Sequence, residues 1–526
     1  MDIHSPISNK GKEIIIVIFC LLIGFTLRFY TFDKKSLWID EIHTFNDSRY
    51  SLKEQLKFHK ENPTYLHPPL FFIFTNVFYP FSKPERDLRI IPLVFGFLAI
   101  PMIYFLSRSF SPDIALPCTL SLAFMVYHIS LSQDGRSYSL IMCLGMLGLY
   151  FLIKHLKTSK KTYLLFVSLV YATLFHISYS SISFIVLSQI LWFYRTSEGN
   201  KKPYFSSFLI LNSIILLLCL PWILFVVLNY KGQPLMTPFH TEGTGSFLSI
   251  VYWILHDWVP HGPLMIASVI LLILFPFFSN SKKNALIFLT VFFLPIAGLY
   301  LFCKWLNITH FLASRYFINF LPLFFITIYL SLNSIEANFE GLKRFIRLKV
   351  LFVIFFVASN LVILPPYYGS EKQDFRGLVH YLKGQLREGD KIFDGEMGYT
   401  LGILHYFGAY PEGRHLVMAF EKDPKNGIEF RKSFTYQNRV FTIYHSQNCC
   451  NQYVAEGNRL WIVVRKLNAR ILLNATISEK TSSFVLKGYF DGSFLNFQKF
   501  PDDGSMYLFL LDPLSPNEQG IDMPIE

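Results

Sequence analysis

The sequence predicts a mainly α, polytopic membrane protein: a bundle of about eleven transmembrane helices followed by a small extracytoplasmic α/β domain. Three observations carry this. First, the 526 residues are 52% hydrophobic and 16% charged, with a mean hydropathy of +0.37, whereas water-soluble domains carry about a quarter charged residues. Second, a bilayer span needs about twenty apolar residues, and runs of that kind lie near 13–30, 88–107, 113–131, 138–153, 162–177, 179–194, 206–228, 263–279, 284–302, 314–333 and 348–365. Third, after Pro365-Pro366 charge and turn residues return, and no later run is long enough to span. The expected domains are therefore 1–366, with a first outer loop and interfacial helices at 31–87, and 367–526.

Taken in order, the first run follows Lys10 and Lys12 and shows no small-residue cleavage site, so it is expected to stay as an anchor. The loop after it places the adjacent acids Asp40 and Glu41 just beyond Trp38. His67-Pro68-Pro69 then opens the amphipathic run Leu70 to Phe81, read as a helix lying at the interface; proline disfavours helix before it and permits helix after. The runs at 162–177 and 179–194 are short and separated by a serine-rich patch, so the span count is good to one or two. Lys154, Lys157, Lys160 and Lys161, then Arg195, Lys201 and Lys202, then Lys282 and Lys283, then Lys343, Arg344, Arg347 and Lys349 mark alternate loops. The opposing loops at 229–262 and 303–313 carry only Lys231 and Lys304. The positive-inside rule puts the N-terminus in the cytoplasm and the Asp40 loop and everything after 366 outside, in a cell (inner) membrane. In the last part, QDFRGLVHYLKGQL reads as an amphipathic helix and DKIF as a strand. RVFTIYH, RLWIVV, SSFVLKGYF and MYLFLLD have strand character.

The net charge of +12 fits topology signals, and no Lys/Arg run suits a nucleic-acid groove, so nucleic acid is not an expected partner. Cys20, Cys118, Cys143, Cys219 and Cys303 fall in or beside apolar runs and read as small packing residues. Cys449 and Cys450 are adjacent in the soluble part. The sequons at Asn307 and Asn474 matter only in a secretory host.

A second set of basic residues runs against the topology pattern. Arg28, Arg86, Arg89, Arg136 and Arg315 lie at or near the outer ends of spans, where charge needs a partner. Snorkelling to headgroups accounts for two or three of them; a converging anion site accounts for more together. Gln133-Asp134-Gly135-Arg136-Ser137-Tyr138 joins the third and fourth spans on that side, and Arg315-Tyr316 opens the tenth. Arginine and tyrosine suit phosphate, a planar fork of donors beside a hydroxyl. Asp40 is the candidate general base, since a carboxylate against an apolar surface can have its pKa raised, with Glu41 orienting it or binding a cation. His67, fixed at a helix start, can meet an anion. Metal dependence stays open; Glu41 and Asp134 are the acids able to join a divalent cation.

LWIDE in the first outer loop, HPPLFF, the QDGRSY turn and the late RYF, in this order, resemble the GT-C class of membrane glycosyltransferases. More narrowly, they resemble the bacterial branch related to dolichyl-phosphate-mannose protein mannosyltransferases and lipid A aminoarabinose transferases. DFRGLVHYLKGQLREGDKIF is similar to the start of their external domain. The resemblance implies transfer of one sugar from a polyprenyl-phosphate donor to a lipid A, glycan or protein acceptor at the outer face. Asp40 matches the family's essential acid and Glu41 its neighbour. His67 stands where the aminoarabinose transferases have lysine, and a neutral imidazole holds phosphate less strongly. The 229–262 loop is too short for the inserted β-rich domain of the eukaryotic mannosyltransferases. A sugar on a lipid phosphate needs charge stabilisation of its leaving group, which suits Arg136, Arg315 and His67 with Tyr138 and Tyr316 beside them. A single displacement with one base inverts the anomeric centre. Two other readings remain: a transporter or flippase of lipid-linked anions, which predicts repeats and broken helices, and a glycan polymerase or ligase, which does not require the acid pair.

Overall fold

A computed structural model describes residues 9–194, 205–232, 245–306, 312–339, 347–396, 398–410, 421–423, 428–446, 459–479, 484–494, 504–512 and 519–523. Arg195, Lys201, Lys202, Asn307, Lys343, Arg344, Cys449 and Cys450 lie outside them. Two compact units result, one of Met1–Phe32, Tyr50–Pro80 and Asp87–Pro365, the other of Asp33–Arg49, Phe81–Arg86 and Pro366–Glu526. Residues 33–49, just after the first apolar run, thus group with the C-terminal part of the chain.

All eleven apolar runs are helical. In order the helices are α1 (Asn9–Phe29), α2 (Ile39–Asp47), α3 (Leu52–Glu61), α4 (Leu70–Asn76), the single turn α5 (Pro84–Asp87), α6 (Ile90–Phe110), α7 (Ala115–Phe124) and α8 (Val126–Ser132). There follow α9 (Tyr138–Thr158), α10 (Lys161–Ile177), α11 (Ser181–Leu187), α12 (Phe205–Asn229), α13 (Phe247–Trp258), α14 (Gly262–Phe278), α15 (Lys282–Leu306), α16 (Leu321–Asn338) and α17 (Leu348–Gly369). Among the described residues, six helices are long and apolar enough to cross a membrane, or eight if each of two bent pairs is one span. Those pairs are α7 with α8, bent by 61°, and α13 with α14, bent by 113°. The runs of α1, α10 and α11 are helical but fall short of that test.

The helices differ in how much they hide. The apolar window of α9 is 72% buried and that of Ser314–Asn338 is 78% buried, while that of α12 is 17% buried. Leu217 and Leu228 of α12 are largely exposed, as a lipid-facing surface requires, since lipid gives no hydrophobic penalty for leaving leucine outside. Buried packing is aromatic: Trp258 is fully buried and sits 5.5 Å from Phe324 and 5.9 Å from Phe292, ring to ring. Cys20, Cys118, Cys143, Cys219 and Cys303 are free and buried, as expected of packing residues.

Three expectations need correction. The acids Asp40 and Glu41 are not on a loop but in the first turn of α2. The interfacial run predicted over Leu70 to Phe81 is helical only to Asn76, because Pro80 bars the helical conformation at the residue before it. The loop at 229–262 contains α13, whose start is capped by Ser246 Oγ accepting from the Ser249 N–H at 3.1 Å.

The second unit holds α18 (Phe375–Gln385), α19 (Tyr399–Phe407), α20 (Lys466–Glu479) and a seven-stranded sheet. Its strands are β1 (Lys391–Asp394), β2 (Glu421–Asp423), β3 (Ile428–Tyr436), β4 (Arg439–Ser446), β5 (Leu460–Val464), β6 (Val485–Phe490) and β7 (Met506–Leu511), in the order β2-β3-β4-β1-β5-β7-β6. β1 runs parallel to β4 and β5; the other pairs are antiparallel. Gln437 and Asn438, both at positive φ, make the tight β3–β4 turn. β5 and β7 are buried throughout, and Ala469, Leu472 and Leu473 of α20 pack on their core.

Candidate functional site

In the first unit, the turn after α8 is tied down before any chemistry is asked of it. Gln133 Nε2 donates to the carbonyls of Arg28 at 2.8 Å and Tyr30 at 2.6 Å, and the Arg136 N–H donates to the Asp134 carbonyl at 2.6 Å. Arg136 Nη2 lies 3.0 Å from His67 Nε2. Guanidinium has no acceptor, so the imidazole nitrogen accepts and a neutral His67 carries its proton on Nδ1. His67 is itself held, since His59 Nε2 meets its carbonyl at 3.1 Å. Arg136 therefore supplies the positive charge here, and His67 orients it, which differs from a histidine that meets an anion directly.

A second group gathers around the 3₁₀ turn Ser314–Phe320 that precedes α16. The Arg315 guanidinium stands 5.4 Å from the Tyr316 ring, and that ring is 6.3 Å from Tyr138 at the start of α9. Both tyrosines are buried. Ser314 Oγ bonds to Asp257 Oδ2 and, at 2.8 Å, to the Tyr127 hydroxyl. Asp257 is buried at the end of α13 and interacts electrostatically with Arg315. Sequence reasoning missed Asp257, Ser314 and Tyr127. The available signal was the apolar run 247–258 after Ser246, ending in His256-Asp257.

The remaining arginines of that set do other work. Arg28 is fully buried; Nη1 donates to the carbonyls of Gly24 at 2.9 Å and Ala123 at 3.0 Å, while Nη2 donates to Leu122 at 2.8 Å and meets His128 Nδ1 at 2.8 Å. Leu122 and Ala123 are among the last residues of α7, whose carbonyls lose their helical partners at the break. On the other side of the break, the Val126 N–H donates to Asn360 Oδ1 of α17 at 2.9 Å. Arg89 is buried and donates to the Phe32 carbonyl at 2.9 Å. Asp134 is also buried. Arg86, in the second unit, donates to Ser82 Oγ at 3.2 Å.

The second unit carries the acid pair, and its members differ. Glu41 is fully buried, and its Oε2 accepts the N–H of Trp38, the residue capping α2, at 3.3 Å. This is the reach-back contact of a helix start. Asp40 is half-buried in the same turn, where exposed helical N–H groups favour negative charge. Among the described residues, no group of three or more His, Cys, Asp or Glu gathers as a metal site.

This architecture, a bundle of apolar helices with a C-terminal mixed sheet, is a fold shared with solved structures. In particular, the chain is similar to ArnT from Cupriavidus metallidurans in two crystal structures. The apo structure matches with a TM-score of 0.53 at 11% identity over 95% of this chain and 98% of that one. The structure of ArnT bound to undecaprenyl phosphate matches with a TM-score of 0.51 at 10% identity over 96% of this chain and 98% of that one. No family model and no curated protein sequence matches.

Proposed function

We propose that the chain is an integral-membrane glycosyltransferase that moves one sugar from a polyprenyl-phosphate donor to a hydroxyl-bearing lipid, glycan or protein at the outer face. The observation that carries this reading is the near full-length likeness to ArnT, a protein crystallised with undecaprenyl phosphate. In the proposed reaction the acceptor oxygen attacks the anomeric carbon as its proton passes to Asp40. The bond from that carbon to the phosphate oxygen breaks, and polyprenyl phosphate leaves with the electron pair. One displacement inverts the anomeric centre. Arg136, oriented by His67, and Arg315, backed by Asp257, would hold the phosphate charge, with Tyr138 and Tyr316 as hydroxyl donors. The basic loops support a cytoplasmic N-terminus and an extracytoplasmic C-terminal unit.

One observation favours the transporter reading: the two bent pairs of helices, since transporters build sites from broken spans. At the α7–α8 break, however, Arg28 and Asn360 already occupy the Leu122 and Ala123 carbonyls and the Val126 N–H. Those groups are not on offer to a substrate.

The test is native mass spectrometry of lipids retained on the protein purified from its own membranes, followed by turnover of polyprenyl-phosphate mannose, glucose and aminoarabinose. A retained polyprenyl phosphate and transfer that Asp40→Asn abolishes, with binding of undecaprenyl phosphate unchanged, are expected. Equal transfer by Asp40→Asn and the wild type removes the base assignment.

A further inference from the structure

Within the second unit, an extended segment leads into α2, and its amides are taken one after another by side chains. The Ser36 N–H donates to Glu371 Oε2 at 3.0 Å, the Leu37 N–H to the Tyr406 hydroxyl at 2.7 Å, and the Ile39 N–H to Gln373 Oε1 at 3.0 Å. The Trp38 N–H goes to Glu41. Each acceptor outside α2 comes from the segment before α18 or from α19. The side chains of the segment are held as well. Lys35 Nζ donates to the carbonyls of Tyr367 and, at 2.6 Å, Ser370, and Lys372 Nζ stands 5.1 Å from the Trp38 ring.

Tyr406 is the most committed of these groups. Its hydroxyl accepts from Leu37 N–H and from Ser36 Oγ at 3.2 Å, and donates to Glu85 Oε1 at 3.0 Å. One donor and two lone pairs are the full capacity of a phenol. Asp40 is the residue immediately after this held stretch, on a helix whose start the stretch defines.

We propose that Glu371, Gln373 and Tyr406 are positioning residues for Asp40: they fix the backbone at Ser36, Leu37 and Ile39 and so set the first turn of α2. The inference rests on the reading of Asp40 as the base. It gives the C-terminal unit a part in the reaction step, by placing the acid, without contact to substrate.

Glu371 adds a second readout. Burial, and next the Asp374 carboxylate, push its carboxyl up to about 7 against the opposing pull of Lys35, the Ser36 amide and Arg376. Asp491 also faces this residue, its Oδ2 accepting the Glu371 N–H at 2.5 Å. The ionised carboxylate accepts the Ser36 N–H more strongly than the acid does, so the hold tightens as pH rises through about 7.

The test uses the full chain in lipid nanodiscs, with the polyprenyl-phosphate sugar that the wild type turns over. Hydrogen exchange at the amides of 36–39 and kcat and donor KM are measured together for Gln373→Ala, Gln373→Glu, Tyr406→Phe and Glu371→Gln. Gln373→Ala and Tyr406→Phe should speed exchange and lower kcat by roughly 10- to 100-fold, the scale of an ångström of misplacement. Donor KM should stay as it is. Gln373→Glu, which keeps the acceptor oxygen, should restore both properties. Glu371→Gln, a neutral acceptor at every pH, should hold kcat near the wild type's acid-side level and lose the rise through neutral pH. On the Asp40→Asn background, Gln373→Ala should lower residual kcat no further. Faster exchange in Gln373→Ala with wild-type kcat, or unchanged exchange, overturns the positioning role alone. Wild-type transfer by Asp40→Asn overturns the base reading, whatever the exchange shows.

Discussion

Arg28 and Arg136 invite direct comparison, because both stand near the ends of apolar helices and both belong to the first unit. Arg28 is spent on backbone: carbonyls of Gly24, Leu122 and Ala123 take its donors, and His128 meets the fourth contact. Arg136 is oriented by one imidazole nitrogen, in a turn that joins α8 to Tyr138 and α9. Backbone carbonyls at a helix break belong to the fold and cannot be released to a ligand without unfolding that break. A side-chain partner such as His67 can swing or share. An arginine's position along the sequence therefore does not show whether its guanidinium meets helix-end carbonyls or a side chain; its acceptors do.

The sharpest way to break this comparison is to remove both charges in turn. Arg28→Met takes the guanidinium away from the carbonyls of Gly24, Leu122 and Ala123 and from His128 Nδ1, and a buried acceptor left unsatisfied costs about 1–3 kcal/mol. The protein should fail to accumulate in the membrane, or lose on the order of 10 °C of apparent melting temperature. Arg136→Ala should keep the melting temperature within about 2 °C and weaken undecaprenyl phosphate binding by roughly 10- to 100-fold, as loss of a charge-assisted bond implies. Arg136→Lys should recover part of that, since ammonium keeps the charge and loses the fork. A stable Arg28→Met protein that no longer binds the lipid would reverse the two assignments. Thermal unfolding followed beside lipid binding for all three variants decides between them.

A smaller effect is expected one step further out. Asp257→Asn keeps an oxygen for Ser314 but removes the negative charge that faces Arg315. Binding of undecaprenyl phosphate should change by about three- to tenfold, the range of a single screened charge interaction. Ser314→Ala should mimic it only in part, as Asp257 keeps its charge. Equilibrium titration of the lipid on both variants measures the difference.

The same contrast explains what was legible in the sequence. Long apolar runs need no partner to be recognised, so all eleven helical runs were visible, though only six to eight of them pass as spans, as were α18 and strands β1, β4, β5, β6 and β7 with their alternation and turn residues. Contacts between distant segments were not visible. Nothing local in Lys35–Ile39 announces that its amides are bound by residues some 330 positions later. Likewise nothing local in Arg28 points to the end of α7, 94 residues away. α13 went unread because a twelve-residue apolar run is too short to be a span and lay in a segment assigned as loop by its neighbours. Asp257 was lost with it. The sequence assigns Asp40 as base and Glu41 as the acid that orients it, but adjacency says nothing of the helix start. Only the reach of Glu41 back to Trp38 shows that one of them serves the helix start.

The last expected effect concerns the stability of the second unit, and its sign follows from groups of opposite kind. Burial raises Glu371 to about 7 and raises Asp394, whose side chain is held by Thr400 and the Glu396 N–H, above its ordinary range. Both folded carboxyls keep protons that the unfolded chain has lost, so their contribution to stability is complete below about pH 4 and drains away as pH climbs to neutrality. Burial lowers His405, packed against Phe45 and Tyr410, to about 4. Between about 4 and 6.5 it is the unfolded chain that binds the extra proton there, and stability gains with pH. Two carboxyls against one imidazole leave a shallow net fall over that window, at about 1.4 kcal/mol per pH unit for each uncompensated proton. Above about 6.5 the histidine no longer opposes it, but the carboxyls are themselves ionising, so the fall keeps its slope only to about pH 7 and then flattens. Apparent melting temperature should therefore decline from pH 5 to about 7 and level off towards pH 8. Glu371→Gln with Asp394→Asn should abolish the decline and leave a gain at the acid end from His405. His405→Phe should steepen the decline below about pH 6.5. A wild-type curve that rises through neutral pH would show that the buried carboxyls are ionised at little cost, and that the pH dependence expected of the Asp40 hold has another source.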